Sequence, residues 1–167
     1  MRGYFIENSR VFLYNKGTKR VVSRGISRGS FDLLEVIPVQ RYVSYNANPD
    51  GDRVGDCVVR AISAALGKSW EETYVGICVQ GFLMRDMPSA DRVWGAFLRS
   101  QGFRRYLVDA DCPDCYTVRD FCEDHPDGEY ILAISGHVVF VRDGQYYDSW
   151  DSGQEVPVYY WERSNDA

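Results

Sequence analysis

Asp143-Gly144, lying between two runs rich in β-branched and aromatic residues, is the feature that most narrows the fold. A two-residue hairpin turn of type I′ needs positive φ at both central positions, and Asp-Gly is a pair that tolerates it. Such a turn sets Arg142 facing Gln145, and with it Val139 opposite Asp148 and His137 opposite Trp150. Side chains 137, 139, 141, 146, 148 and 150 then share one face of the ribbon. His137 and Asp148 become diagonal neighbours with Cβ atoms roughly 7 Å apart, a gap that an imidazole and a short carboxylate close with one hydrogen bond. Asp151, the competing acid, projects from the opposite face.

A helix with a cysteine in its first turn is the second constraint. The loop Asn46-Ala47-Asn48-Pro49-Asp50-Gly51-Asp52-Arg53 leads through Gly55 into Cys57–Leu66. Asp56 is the expected N-cap, Gly67 the stop, and Val59, Ile62 and Leu66 recur at helical spacing as a buried stripe. Cys57 therefore meets the unpaired N–H groups and the positive end of the helix, which favour thiolate. The neighbouring Asp56 carboxylate opposes this, so a cationic partner is required. The chain has two histidines, and His137, braced by an acid, fits the part.

A chain of 167 residues is long enough for one domain with a substantial core and short for two. No apolar run approaches transmembrane length, and Met1–Glu7 lacks the apolar stretch of a signal peptide. The expected location is cytoplasmic, where the five cysteines stay reduced; an odd number fits that better than a disulfide framework. The net charge of −5 hides an asymmetry, because residues 1–44 carry eight Arg/Lys against three Asp/Glu. This basic segment either packs on its own acidic domain or docks an acidic surface. Neither a nucleic-acid nor a membrane partner is expected.

Residues 1–44 read as an accessory β-rich basic segment with too few apolar residues for its own core. Its strands are expected around Tyr4–Ile6, Arg10–Tyr14, Arg20–Val22 and residues 32–39, with a hairpin turn at Asn15-Lys16-Gly17. Residues 45–167 form the main domain. Ser69 and Glu72 make a capping box for a second helix carrying Trp70, Tyr74, Ile77 and Cys78 on one side. Gly81 and Pro88 bracket a loop, Ser89 caps a third helix with Val93, Trp94, Phe97 and Leu98, and Gly102 stops it. A strand over 103–108, a short helix opened by Thr117 and Asp120, and four strands within 129–162 complete the chain. Helices first and an antiparallel sheet last make the class α+β.

The order Cys57, His137, Asp148, with Gly55-Asp56-Cys57 opening a helix and Gly136-His137-Val138-Val139 opening a strand, resembles the papain-like cysteine peptidase superfamily. The small bacterial and phage branches look closest, the bacteriocin-leader and NlpC-type peptidases, over roughly residues 46–162. The resemblance implies a papain-like catalytic domain acting on a peptide or protein substrate. Cys57 is then the nucleophile, His137 the general base and acid, and Asp148 the orienting group, with no cofactor. It departs from the family at Gly51, where such enzymes usually carry a glutamine whose amide holds the oxyanion. Asn48, rather than the nearby Asn46, is the substitute, together with the Cys57 backbone N–H. Trp150, on the same ribbon face, shields the His–Asp pair from water.

Two readings from other classes stand beside this one. The same scaffold serves a non-catalytic binding protein if Cys57 is only a small buried residue. Cys112 and Cys115, followed by Cys122 and His125, have the ingredients of a zinc site in an interaction module, although the helix between the two halves places Cys122 and His125 at its fraying end. Trp70, Tyr74, Trp94 and Phe97 have the helical spacing of core residues, and Asp151-Ser152-Gly153 reads as a turn into the last strand.

Overall fold

The computed structural model describes residues 40–108 and 116–163, together with the backbone of three strands nearer the N-terminus. These strands, β1 (Gly3–Glu7), β2 (Arg10–Asn15) and β3 (Thr18–Ser23), form an antiparallel meander. Asn15 pairs with Thr18 across Lys16-Gly17, matching the turn signal there. They lie in a compact unit of their own, Met1–Gln40. The strand expected over 32–39 lies outside the described residues.

The second unit, Arg41–Ala167, is α+β. In chain order it contains β4 (Tyr42–Ser44), α1 (Cys57–Leu66), α2 (Trp70–Met84), α3 (Asp91–Ser100), β5 (Phe103–Leu107) and α4 (Val118–Asp124). Then follow β6 (Glu129–Ile134), β7 (His137–Arg142), β8 (Gln145–Asp148) and β9 (Pro157–Arg163). The six strands make one sheet in the order β4-β8-β7-β6-β9-β5. Two expectations are corrected here. The unit starts at Arg41 rather than at 45, because β4 is an edge strand of the main sheet. The sheet is mixed rather than antiparallel, because β4 runs parallel to β8. A three-residue strand leaves no periodicity to read. What holds it is long-range: Arg41 Nη1 donates to the Cys122 and Gly144 carbonyls at 3.1 and 3.0 Å, and Tyr45 N–H donates to Asp148 O at 2.8 Å.

Alternation along the central strands sorts the core into two layers. Ile131, Ala133, Val138, Phe140 and Trp161 face α1, α2 and α3, joining Val59, Ile62, Ile77, Val93, Trp94 and Leu98. Tyr130, Leu132, Ile134, Val139, Val141 and Tyr146 face the other way, onto Val118, Phe121 and Cys122 of α4. Periodicity foretold the first layer; that α4 covers the far face was not legible from a seven-residue helix.

The Asp143-Gly144 turn has φ of 49° and 69°, the double left-handed conformation of type I′, and Arg142 pairs with Gln145 as expected. β8 nevertheless ends at Asp148 instead of running to Trp150. The Asp148 carboxylate accepts the Ser149 N–H at 2.7 Å and the Ser152 hydroxyl at 2.7 Å, which bends the chain out of the ladder.

Two helix boundaries also differ from expectation. Ala90, not Ser89, occupies the N-cap of α3, without a side-chain cap. Helix α2 passes through Gly81 and ends at Met84, with its Ser69–Glu72 capping box in place. Gly81 is needed for close approach: a Cβ there would lie 2.8 Å from the Asp86 carbonyl oxygen, where the chain folds back toward Pro88. Helix propensity alone favours Gly81→Ala by about 1 kcal/mol. Overpacking against a backbone atom costs about 1–3 kcal/mol. Gly81→Ala should therefore lower stability by about 1 kcal/mol, read as a lower urea midpoint; a raised midpoint would show that the 85–88 segment yields without cost.

Candidate active site

Cys57 is the first residue of α1, and its sulfur is half-buried against the start of β7. Asp56 occupies the N-cap position, yet its carboxylate does not cap the helix, contrary to expectation. It turns away instead. One oxygen pairs with the Arg60 guanidinium; the other accepts Trp70 Nε1–H at 2.9 Å and Asn48 Nδ2–H at 3.2 Å. Asp56 and Arg60 are both buried, so the negative charge beside the thiol is neutralised within one helical turn. The conflict that the sequence poses between Asp56 and a Cys57 thiolate is resolved by Arg60, a residue that sequence reasoning passed over. The i,i+4 spacing of Asp56 and Arg60 was the available signal.

His137 opens β7 immediately after the turn at Ser135-Gly136, so its ring stands at the open end of the sheet. Its Nε2 lies 2.7 Å from Asp148 Oδ2, and the ring lies close enough to the Cys57 sulfur for each group to shift the titration of the other. With Nε2 committed to the carboxylate, Nδ1 is the nitrogen left for the sulfur. Asp148 is buried and receives the Ser152 hydroxyl on the same oxygen and the Ser149 N–H on the other. Ser152 is fully buried and braces the acid; the reading of residues 151–153 as a mere turn missed it. No spacing rule could have found it, because the chain reaches Asp148 only by leaving the strand. Asp151 is occupied elsewhere, by the Tyr146 hydroxyl and by Arg119 Nη2 at 2.7 Å.

The electrostatics follow from these contacts. Burial pushes the Cys57 thiol up, but the His137 hydrogen bond and charge, with the Val138 and Val58 N–H groups, outweigh it and leave the thiol below its ordinary value. Burial pushes His137 down, yet the hydrogen bonds and charges of Asp148 and Cys57 together raise it to about 9. Each group favours the charged form of the other. The contacts therefore shift the pair toward thiolate and imidazolium together.

The remaining sequence candidates fall into three groups. Trp150 lies with its ring centroid 5.4 Å from that of His137 and covers one side of the imidazole, while being 41% exposed itself. Asn48 is anchored on Asp56 and accepts the Asp50 N–H, and is not among the residues lining the cleft at Cys57. Cys122 is buried in the α4 layer, its thiol pushed up to about 12 chiefly by burial, and His125 Nδ1 sits 2.9 Å from the Phe121 carbonyl. Cys112 and Cys115 lie outside the described residues. Among the described residues no group of three or more His, Cys, Asp or Glu is placed to hold a metal ion.

A cleft of about 430 Å³ opens beside the sulfur, walled by Cys57, Val58, Trp94, Ile134, His137 and Val158, among others. Val158 reaches it through an irregularity in the β6–β9 ladder, where Ala133 pairs with Tyr159 but Ile134 pairs with Pro157. On the α3 side Asp91 accepts Tyr159 Oη–H at 2.9 Å and Trp94 Nε1–H at 3.2 Å, fixing the aromatic wall. No helix among the described residues is long and apolar enough to cross a membrane. The chain matches no protein-family model, no curated protein and no solved structure at the level of significance required.

Removing Arg60 tests the insulation of the thiol. Arg60→Met leaves a buried carboxylate without its cation and should cost about 3–5 kcal/mol, whereas Asp56→Asn with Arg60→Met should recover much of that loss. Where the single variant remains folded, the pH midpoint of Cys57 alkylation by iodoacetamide should move upward, because the uncompensated Asp56 charge disfavours thiolate. An unmoved midpoint would show that Asp56 does not act on Cys57.

Proposed function

We propose that the protein is a papain-like thiol hydrolase that cleaves a peptide, isopeptide or other amide through a thioester on Cys57. The observation that carries this reading is the placement of Cys57 beside His137 at the mouth of one cleft, with the His137 ring held 2.7 Å from the Asp148 carboxylate. A structural cysteine has no need of an imidazole held by a buried acid; a nucleophile does.

The Cys57 thiolate attacks the carbonyl carbon, and the oxygen takes up the negative charge. The Cys57 backbone N–H, first in α1 and without an intrahelical acceptor, donates to that oxygen. His137 gives its proton to the departing amine, so that the C–N bond breaks and the thioester forms. The neutral ring then takes a proton from water, whose oxygen attacks the thioester. Collapse of that adduct releases the acid and returns the thiolate. Asp148, steadied by Ser152 and the Ser149 N–H, holds the imidazole in one tautomer through both halves. The bacterial or phage setting, the cytoplasmic location and a peptide or protein substrate belong to the same proposal.

The pH dependence is a direct test. Alkylation of Cys57 by iodoacetamide should rise through a midpoint well below the ordinary thiol value of about 8.5. Hydrolysis should fall as the pH passes about 9, where His137 loses the proton it must give to the amine. With a random pool of short peptide amides as probe, intact mass should reveal an acyl adduct on Cys57, and new amine termini should appear. Cys57→Ala should abolish both, and His137→Ala should slow turnover by about 10²–10⁴-fold. An alkylation midpoint near that of a free thiol would overturn the enzyme and leave a binding protein on the same scaffold.

Asp148 has a separable effect. Asp148→Asn should lower the midpoint of the alkaline limb, since the carboxylate is a principal contribution that raises His137. An alkaline limb unchanged in that variant would mean that another group sets it.

A further inference from the structure

Helix α2 carries an apolar face that the described fold does not cover. Phe82 is 83% exposed, Leu83 70%, Val75 59% and Val79 52%, and Met87, in the segment just after the helix, is 68% exposed. From Thr73 to Met84 the helix has no charged residue at all, and it is apolar on its outer as well as its inner side. A helix of that kind belongs against another surface. So many large apolar side chains exposed along one helix make a patch of the kind that marks an interaction surface.

The charges at the two ends of the face indicate what covers it. Glu71 and Glu72 lie at the N-terminal end, outnumbering Lys68 just before it, and Arg85 is the residue that ends the helix. Asp86, the acid at the Arg85 end, is already paired with Arg92. One end of the stripe is therefore acidic and the other basic. A second copy laid antiparallel matches acid to base twice, whereas a parallel copy sets like against like. The helix dipoles run the same way, favouring the antiparallel arrangement.

We propose that α2 is the two-fold interface of a homodimer, packed antiparallel on α2 of a second copy. With the axis at Val79, Val75 meets Leu83 of the partner subunit, and Glu71 falls opposite Met87 of the partner subunit, within a turn of Arg85 of the partner subunit. The contact is isologous: each pairing occurs twice. This interface does not depend on the chemistry of Cys57.

Sedimentation equilibrium of the full chain decides the matter. The expected species has twice the monomer mass of 19.1 kDa and dissociates on dilution. Val79→Arg puts two like charges at the axis and should weaken the dimer by at least roughly 30-fold, the loss of a hot spot. Because Val79 faces solvent in the monomer, far-ultraviolet circular dichroism and the urea midpoint of the dissociated protein should be unchanged. Glu71→Arg should weaken association several-fold, and adding Arg85→Glu should restore it, since the reversed pair is again complementary. A chain that sediments as a monomer at the highest attainable concentration overturns the proposal. So does a dimer indifferent to Val79→Arg. A dimer that responds to Val79→Arg but is not restored by the charge reversal overturns the antiparallel geometry.

Discussion

One imidazole ties together parts of the chain that have no other reason to meet. His137 stands at the first position of β7, beside a sulfur at the start of α1 and hydrogen-bonded to a carboxylate at the end of β8. The helix packs on one face of the sheet, while Asp148 has the parity of the other. A residue in mid-strand could reach one of them; a residue at the open end, following a tight turn, reaches both. The cleft, the raised imidazole and the lowered thiol all depend on that position.

Two buried carboxylates sit close to this ring and sulfur, with opposite consequences. Asp148 lends its charge to His137 and is satisfied by two further donors, Ser152 and the Ser149 N–H. Asp56 would oppose the thiolate, but Arg60, Trp70 and Asn48 take up its charge and its lone pairs. An unpaired carboxylate in either place would be costly to bury. Since the Asp56 side chain does not cap α1, it does not compete for the N–H groups of the first turn, and that of Val58 helps to lower the thiol.

The same layering that protects the site leaves α2 with a surplus. Helices α1 and α3 place their stripes against the sheet, and α2 rests on them through Ile77 and Gly76, the latter close against Phe97 of α3. Its opposite side faces outward with side chains as apolar as those of the core. A fold with two helices already covering one sheet face has no third place to bury that surface within the described unit.

Much of the architecture was legible because it is written in local rules. The Asp143-Gly144 turn dictated register, the Ser69–Glu72 and Thr117–Asp120 boxes opened their helices, Gly67 closed α1, and periodicity identified Val59, Ile62, Val93 and Leu98 as core. By itself, then, the sequence determined the α+β class, the pairing of β7 with β8, and the juxtaposition of His137 with Asp148 along one ribbon. Tertiary structure alone decided the meeting of Cys57 with His137, the capture of Asp56 by Arg60, the brace from Ser152 and the parallel edge strand β4. The physical reason is separation in the chain. Turns, caps and alternation act over a few residues, whereas these contacts join segments whose approach is set by the packing of whole helices and strands on the sheet.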